Sequence, residues 1–231
     1  MGTERILVAS EVAPGNTLRD ALVRSRMWIA AEAFFFISFV FSYVYLRVLN
    51  VNGKWRPPHT SPPIVMGTVA FALIAVSAVI CGVALRRIRA DAPLAWRGAS
   101  LVALVLGTAA VAMFGWELTH LNFSAADSGY GSVFIGWTAL YALNVLGAMY
   151  WLETLVAQAY RHPPAEASIW LAEHTGDGGN GHGDRDGGGN GGTGPPIRIV
   201  SSLAVGAEQF TGFWYFIAGV GVLTWVLLYL A

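Results

Sequence analysis

Five stretches of this chain are each long and apolar enough to cross a lipid bilayer, and that repetition leaves few other folds open. They run at about Met27–Leu49, Ile64–Leu85, Ala99–His120, Tyr130–Ala157 and Gly212–Leu230. A helix rising 1.5 Å per residue needs roughly 20 apolar residues to cross about 30 Å of hydrocarbon. Each run approaches or exceeds that length. Of the 231 residues, 55% are hydrophobic and 12% charged, against about 25% charged in an average soluble domain. A chain of this size has no interior large enough to hide so much apolar side chain. The expected fold is an all-α integral membrane protein, a bundle of five transmembrane helices.

The net charge of zero conceals an uneven distribution. Arg5, Arg19, Arg24 and Arg26 precede the first run, Arg86, Arg87, Arg89 and Arg97 separate the second from the third, and Arg161, Arg185 and Arg198 separate the fourth from the fifth. The opposite connections carry only Arg47, Lys54 and Arg56, and then nothing basic at all. The positive-inside rule therefore predicts a cytoplasmic N-terminus and a C-terminus outside. Residues 1–26 read as a cytoplasmic tail without the layout of a cleavable signal, so the first run is expected to remain as a span. Residues 27–164 hold the first four helices, 165–207 a cytoplasmic linker, and 208–231 the fifth helix.

The connections differ in kind. Pro57-Pro58 and Pro62-Pro63 hold the first one extended. Residues 175–196, TGDGGNGHGDRDGGGNGGTGPP, have the composition of a flexible tether. Their GGNGHGDRD superficially fits a calcium-binding nonapeptide repeat, but a single imperfect copy has nothing to stack on. Just before them, AEASIWLAEH at 165–174 is short and mixed enough for a surface helix at the membrane interface.

Candidate chemistry is sparse. Glu32 lies inside the first run, where a carboxylate is costly unless protonated, paired or facing protein. Trp28, Phe35, Phe36 and Phe39 share its side of the helix by spacing. Two readings stay open for it: a proton-accepting or lipid-organising site, and a packing contact to a neighbouring helix. Glu117 and His120 form an E-x-x-H pair at the end of the third run. Metal sites built from that motif need a second copy and further acids, and the runs hold no second copy, which leaves an interfacial hydrogen bond as the simpler role.

The histidines argue against a haem centre in this chain: His59, His162, His174 and His182 fall in connections and His120 at a boundary, whereas such centres draw ligands from within spans. Cys81 is the only cysteine, so no intramolecular disulfide or thiolate cage can form. No basic face remains for nucleic acid once the helices are placed, and there is no P-loop or nucleophile–base pairing. Small residues do recur, including Gly67, Ala70, Ser77, Ala78 and Gly82 in the second run and Gly131, Gly136, Ala142 and Gly147 in the fourth. Gly212, Gly219 and Gly221 lie in the fifth. Such residues let helix backbones approach. A bundle with contact surface and little chemistry reads as a subunit.

Several motifs carry a resemblance. R-x-x-M-W-I-A-A-E-A-F-F-F from Arg24 and Y-x-Y-L-R from Tyr43 are followed by W-x-P-P at Trp55–Pro58. Glu117 comes next, then D-x-x-Y-G-S at Asp127–Ser132. Together they resemble subunit III of the haem–copper (cytochrome c or quinol) oxidases in its five-helix bacterial form. In the last run Glu208, Trp214, Phe216 and Tyr229 are similar to family positions, though less specific. The chain departs from the family where H-G-L-H-V is usual, carrying Tyr141-Ala-Leu-Asn144-Val, and where W-H-F-x-D is usual, carrying Trp214-Tyr215-Phe-Ile-Ala218. Tyr141, Asn144, Tyr215 and Ala218 thus stand where the family has three histidines and an aspartate that help line a lipid-filled cleft.

The resemblance implies a non-catalytic subunit of a respiratory terminal oxidase in aerobic electron transport, in a bacterial inner membrane. It would pack on oxidase subunits I and II and bind membrane lipid, phospholipid included. It implies Glu32 as the proton- or lipid-associated acid, and Glu117, Asp127 and Glu208 as structural acids. It places haem and copper in the partner subunits and no cofactor in this chain. Two further readings remain open: an accessory protein of a nitric oxide reductase, and a non-respiratory membrane scaffold of the same fold.

Overall fold

A computed structural model describes residues 14–49, 55–58, 60–89, 93–161 and 202–230. The chain forms α1 (Pro14–Val48), α2 (Ile64–Arg89), α3 (Pro93–Thr119), α4 (Gly129–Arg161) and α5 (Ser202–Trp225), and α5 continues as a π-helical turn, Val226–Leu230. All five helices are long and apolar enough to span a bilayer, and the described residues contain no strand. This is an all-helical, multi-pass membrane protein.

Local chemistry sets several helix ends. α1 and α3 open on Pro14 and Pro93, where a missing N–H costs nothing and the fixed φ suits a first turn. Pro62 and Pro63 precede α2. The Gly131 N–H donates to Ser128 Oγ at 3.0 Å, so Ser128 caps the start of α4. Two helices begin earlier than hydropathy alone indicates. α1 starts at Pro14, inside the expected tail, and α5 at Ser202, inside the expected linker. Helical structure depends on backbone bonding and continues past the apolar stretch that hydropathy detects. The glycine tether at 175–196 and the 165–174 segment lie outside the described residues.

Consecutive helices run antiparallel. One end of the bundle gathers Tyr43, Trp55, Gly67, Glu117, Tyr130 and Tyr229; the other gathers Gly82, Arg97, Tyr160 and Tyr215. Helices α2 to α5 form the packed body. α1 lies mainly against α4 and α5, and just 11% of its apolar window is buried, against 44% for α4 and for α5. Phe34, Phe41 and Val48 on α1 are largely exposed, as lipid-facing side chains are.

An aromatic layer fills the body. Phe71 packs edge-on against Phe114 at 5.0 Å between centroids and tilted against Tyr141 at 5.3 Å, while Phe134 meets Tyr229 at 5.5 Å. In lipid no hydrophobic force separates helix from helix, so such dispersion contacts carry the association. Glycines admit the rings: a Cβ on Gly67 would collide with the Tyr229 ring, and one on Gly221 with the Tyr141 hydroxyl. Not every small residue does this. Gly136, Gly147, Gly212 and Gly219 have open space where a Cβ would point, so they contribute nothing to close helix approach.

Candidate functional site

The shallow seating of α1 leaves a cleft between it and the α4/α5 pair. Its larger recess, about 640 Å³, is walled by Trp28 of α1, by Asn144, Gly147 and Trp151 of α4, and by Gln209 and Phe213 of α5, with Arg24 at its rim. A second recess of about 280 Å³ lies beside it, lined by Trp28, Ala31, Glu32, Phe35 and Asn144. Trp28 and Asn144 belong to both, so the two form one groove along the inner face of α1. From Arg24 to Glu32 is eight residues, about 12 Å along the helix.

This geometry comes from spacing. Trp28, Glu32 and Phe35 recur at i+4 and i+7 and so share one stripe of α1. Phe36, one residue on, turns away into the body and meets Tyr141 at 6.3 Å and Phe216 at 6.4 Å. Glu32 therefore projects into the cleft, half-buried, beside an indole, a phenyl ring and a carboxamide. Facing a protein-lined recess is the condition under which a carboxyl group is tolerated at membrane depth.

Asn144 donates from Nδ2 to the Leu140 carbonyl at 3.1 Å and lines both recesses of the groove. Tyr141, three residues earlier, does something different. It is fully buried, and its hydroxyl donates to the Ile217 carbonyl at 3.0 Å. Tyr141 and Asn144 are thus split between core and cleft; only Asn144 joins Glu32. Tyr215 is 47% exposed, yet its hydroxyl end reaches Gly82 of α2. Ala218 is half-buried and packs against the core.

Glu117 forms a separate centre. It is 1% exposed, and its Oε1 accepts from the Tyr229 hydroxyl at 2.6 Å. The π-helical turn carries Tyr229 there, while the preceding Leu228 carbonyl accepts from the Tyr130 hydroxyl at 2.5 Å. The His120 ring does not bond the Glu117 carboxyl group. Its ring stacks on Trp116 at 3.9 Å between centroids, and its Nδ1 lies 2.9 Å from the Trp116 carbonyl. Asp127 organises the turn before α4, its Oδ2 accepting from the Ser124 N–H at 2.6 Å. Glu208 is half-buried on the first turns of α5, next to the groove residue Gln209. Among the described residues, no three of His, Cys, Asp and Glu converge as metal ligands would.

Sequence reasoning finds Glu32 and its aromatic stripe, because one helix carries them all. It misses Trp151, Gln209 and Phe213, which reach the groove only through tertiary packing. A glutamine just before the apolar run at Gly212 was the one available signal for α5. Ser77 is a further buried polar residue. Its hydroxyl donates to the Ala103 carbonyl at 2.9 Å and accepts from Trp214 Nε1 at 3.1 Å, tying α2, α3 and α5 together. Compared with known proteins, the chain matches no family model and no curated sequence.

Proposed function

We propose that this chain is a non-catalytic subunit of a respiratory terminal oxidase, acting in the manner of subunit III. It packs against the catalytic subunit, holds phospholipid in the groove between α1 and the α4/α5 pair, and supports proton uptake over repeated turnover. Haem and copper belong, on this reading, to the partner subunits. The observation that carries it is the groove wall itself: an acid on α1, set among Trp28, Phe35 and Asn144, in a bundle that otherwise offers packing surface.

Orientation adds support. The groove includes Arg24, at the end of the bundle that also carries Arg26, Arg86, Arg87, Arg97 and Arg161, while the other end carries Arg47 and Arg56 among the described residues. The basic end is the cytoplasmic one by the positive-inside rule, and that is the side from which an oxidase takes up protons. Two aromatic walls and a cationic rim also suit an amphiphile lying with its headgroup at the interface.

Purification in mild detergent with a haem absorption spectrum tests the assignment. Co-purification of a haem-bearing partner that reduces oxygen is the expected result. A haem-bearing partner that reduces nitric oxide would move the chain to the accessory-protein reading, and recovery with no haem at all would overturn the oxidase assignment.

A further inference from the structure

The buried acid at the far end of the bundle has one oxygen accounted for and one not. Glu117 Oε1 accepts from Tyr229, whereas Oε2 has no solvent exposure and no hydrogen-bond partner within the protein. A buried polar atom left in that state costs about 1–3 kcal/mol, so it calls for a physical account.

A second such group lies at the same depth. Thr138 of α4 is fully buried, and its Oγ1 also lacks a partner within the protein. Thr68, Thr154, Thr211 and Thr224 all donate to a carbonyl three or four residues back on their own helix. Thr138 does not, so its hydroxyl is turned away from its own helix backbone.

The register of the antiparallel α3/α4 pair brings the two groups to one level. Phe114 packs against Tyr141 at 5.7 Å. Glu117 is one turn beyond Phe114, and Thr138 is one turn before Tyr141, which is the same direction in space for antiparallel helices. Gly107 opposite Met149 keeps nearly the same register two turns further along. On α4, Thr138 sits between Phe134, which touches Tyr229, and Tyr141. It is the small side chain among the aromatic rings of that stripe. Trp137 Nε1 is likewise unpartnered, but its ring packs on Phe39 of α1 and so faces another side of α4.

We propose that Glu117 and Thr138 bind a single internal water molecule, which bridges Oε2 to Oγ1 and joins α3 to α4 inside the bundle. Internal waters characteristically occupy such positions, making about three hydrogen bonds to polar groups that would otherwise be unsatisfied. A bridging water is nearly as good in enthalpy as a direct hydrogen bond. With Tyr229 on the other oxygen, the carboxyl group then links α3, α4 and α5 at one point, and the ligand of this site is water rather than a metal or an organic group.

Water-edited solid-state NMR on the full chain in phospholipid bilayers tests this directly. Polarisation from water protons is expected to reach the Glu117 side-chain carboxyl carbon, identified by its disappearance in Glu117→Gln. Thr138→Val should weaken that transfer several-fold, whereas Thr138→Ser, which keeps the hydroxyl, should preserve it. Absence of transfer in the wild-type protein would overturn the proposal. So would transfer that is equal in Thr138→Val and the wild type. Should Thr138→Val fail to fold, the wild-type and Thr138→Ser spectra still decide the question, because the bridge requires transfer in both.

Discussion

Replacing Tyr229 with phenylalanine isolates the bond between α5 and the buried acid of α3. The ring stays in place, because the Gly67 notch and the faces of Phe71 and Phe134 hold it through carbon contacts alone. What is lost is one hydroxyl donating at 2.6 Å to a carboxyl group that is 1% exposed. Orphaning a buried acceptor costs about 1–3 kcal/mol in water-soluble proteins. Side-chain hydrogen bonds between membrane helices average about 0.6 and reach about 1.7 kcal/mol. The short distance and full burial place this one toward the upper end, so Tyr229→Phe should destabilise by about 1.5 kcal/mol, roughly a tenfold change in the folding equilibrium. Unfolding by dodecyl sulfate titration of mixed micelles, monitored by tryptophan fluorescence, reads that change. The decisive comparison is a double-mutant cycle: in a Glu117→Leu background, Tyr229→Phe should cost almost nothing. An undiminished loss in that background would refute the reasoning, since the effect would then come from something other than the pair.

Other contacts carry their own expected outcomes. Ser77→Ala should destabilise by about 1–3 kcal/mol, because it strands the Trp214 indole N–H inside the bundle, and the same titration measures it. Histidine at positions 141 and 144 should give unequal results. Tyr141→His removes a fully buried ring and its bond to Ile217 and should cost about 2–4 kcal/mol, whereas Asn144→His at the groove wall should change stability by less than about 1 kcal/mol; equal losses in thermal melts would contradict the split between core and cleft. On the oxidase-subunit function proposed above, Glu32→Gln should leave assembly intact while activity of the complex decays over many turnovers, and a variant that fails to assemble would instead assign Glu32 to packing.

The five spans were legible because hydropathy and helix length report the same physical requirement, the thickness of the hydrocarbon. The helix ends were not. The segments Pro14–Arg26 and Ser202–Thr211 are helical but mix polar with apolar side chains, so an apolar-run criterion passes over them. Spacing along α1 was enough to put Glu32 beside Trp28 and Phe35. Spacing along α4 does not separate Tyr141 from Asn144: they are three residues apart, yet about 60° of rotation is sufficient to send one into the core and the other into the groove. The partner of Glu117 lies 112 residues away in the chain, reached through a π-helical turn that no local pattern announces. Such turns insert an extra residue into the helical repeat and re-aim the side chains they carry.

The light seating of α1 makes this molecule a four-helix post with one outrigger. The helices α2 to α5 hold one another through the aromatic layer, the Ser77 junction and the Glu117–Tyr229 bond. α1 rests on them through Phe36 and Phe39, Tyr43 packs on Trp55 of the following connection, and most of the remaining surface of α1 is exposed. With so little of its surface buried, few packing contacts resist sideways displacement of α1. Glu32 and Asn144 line one recess, so the distance between them is set at the seam of the least-buried helix, and whatever displaces α1 changes the surroundings of the acid.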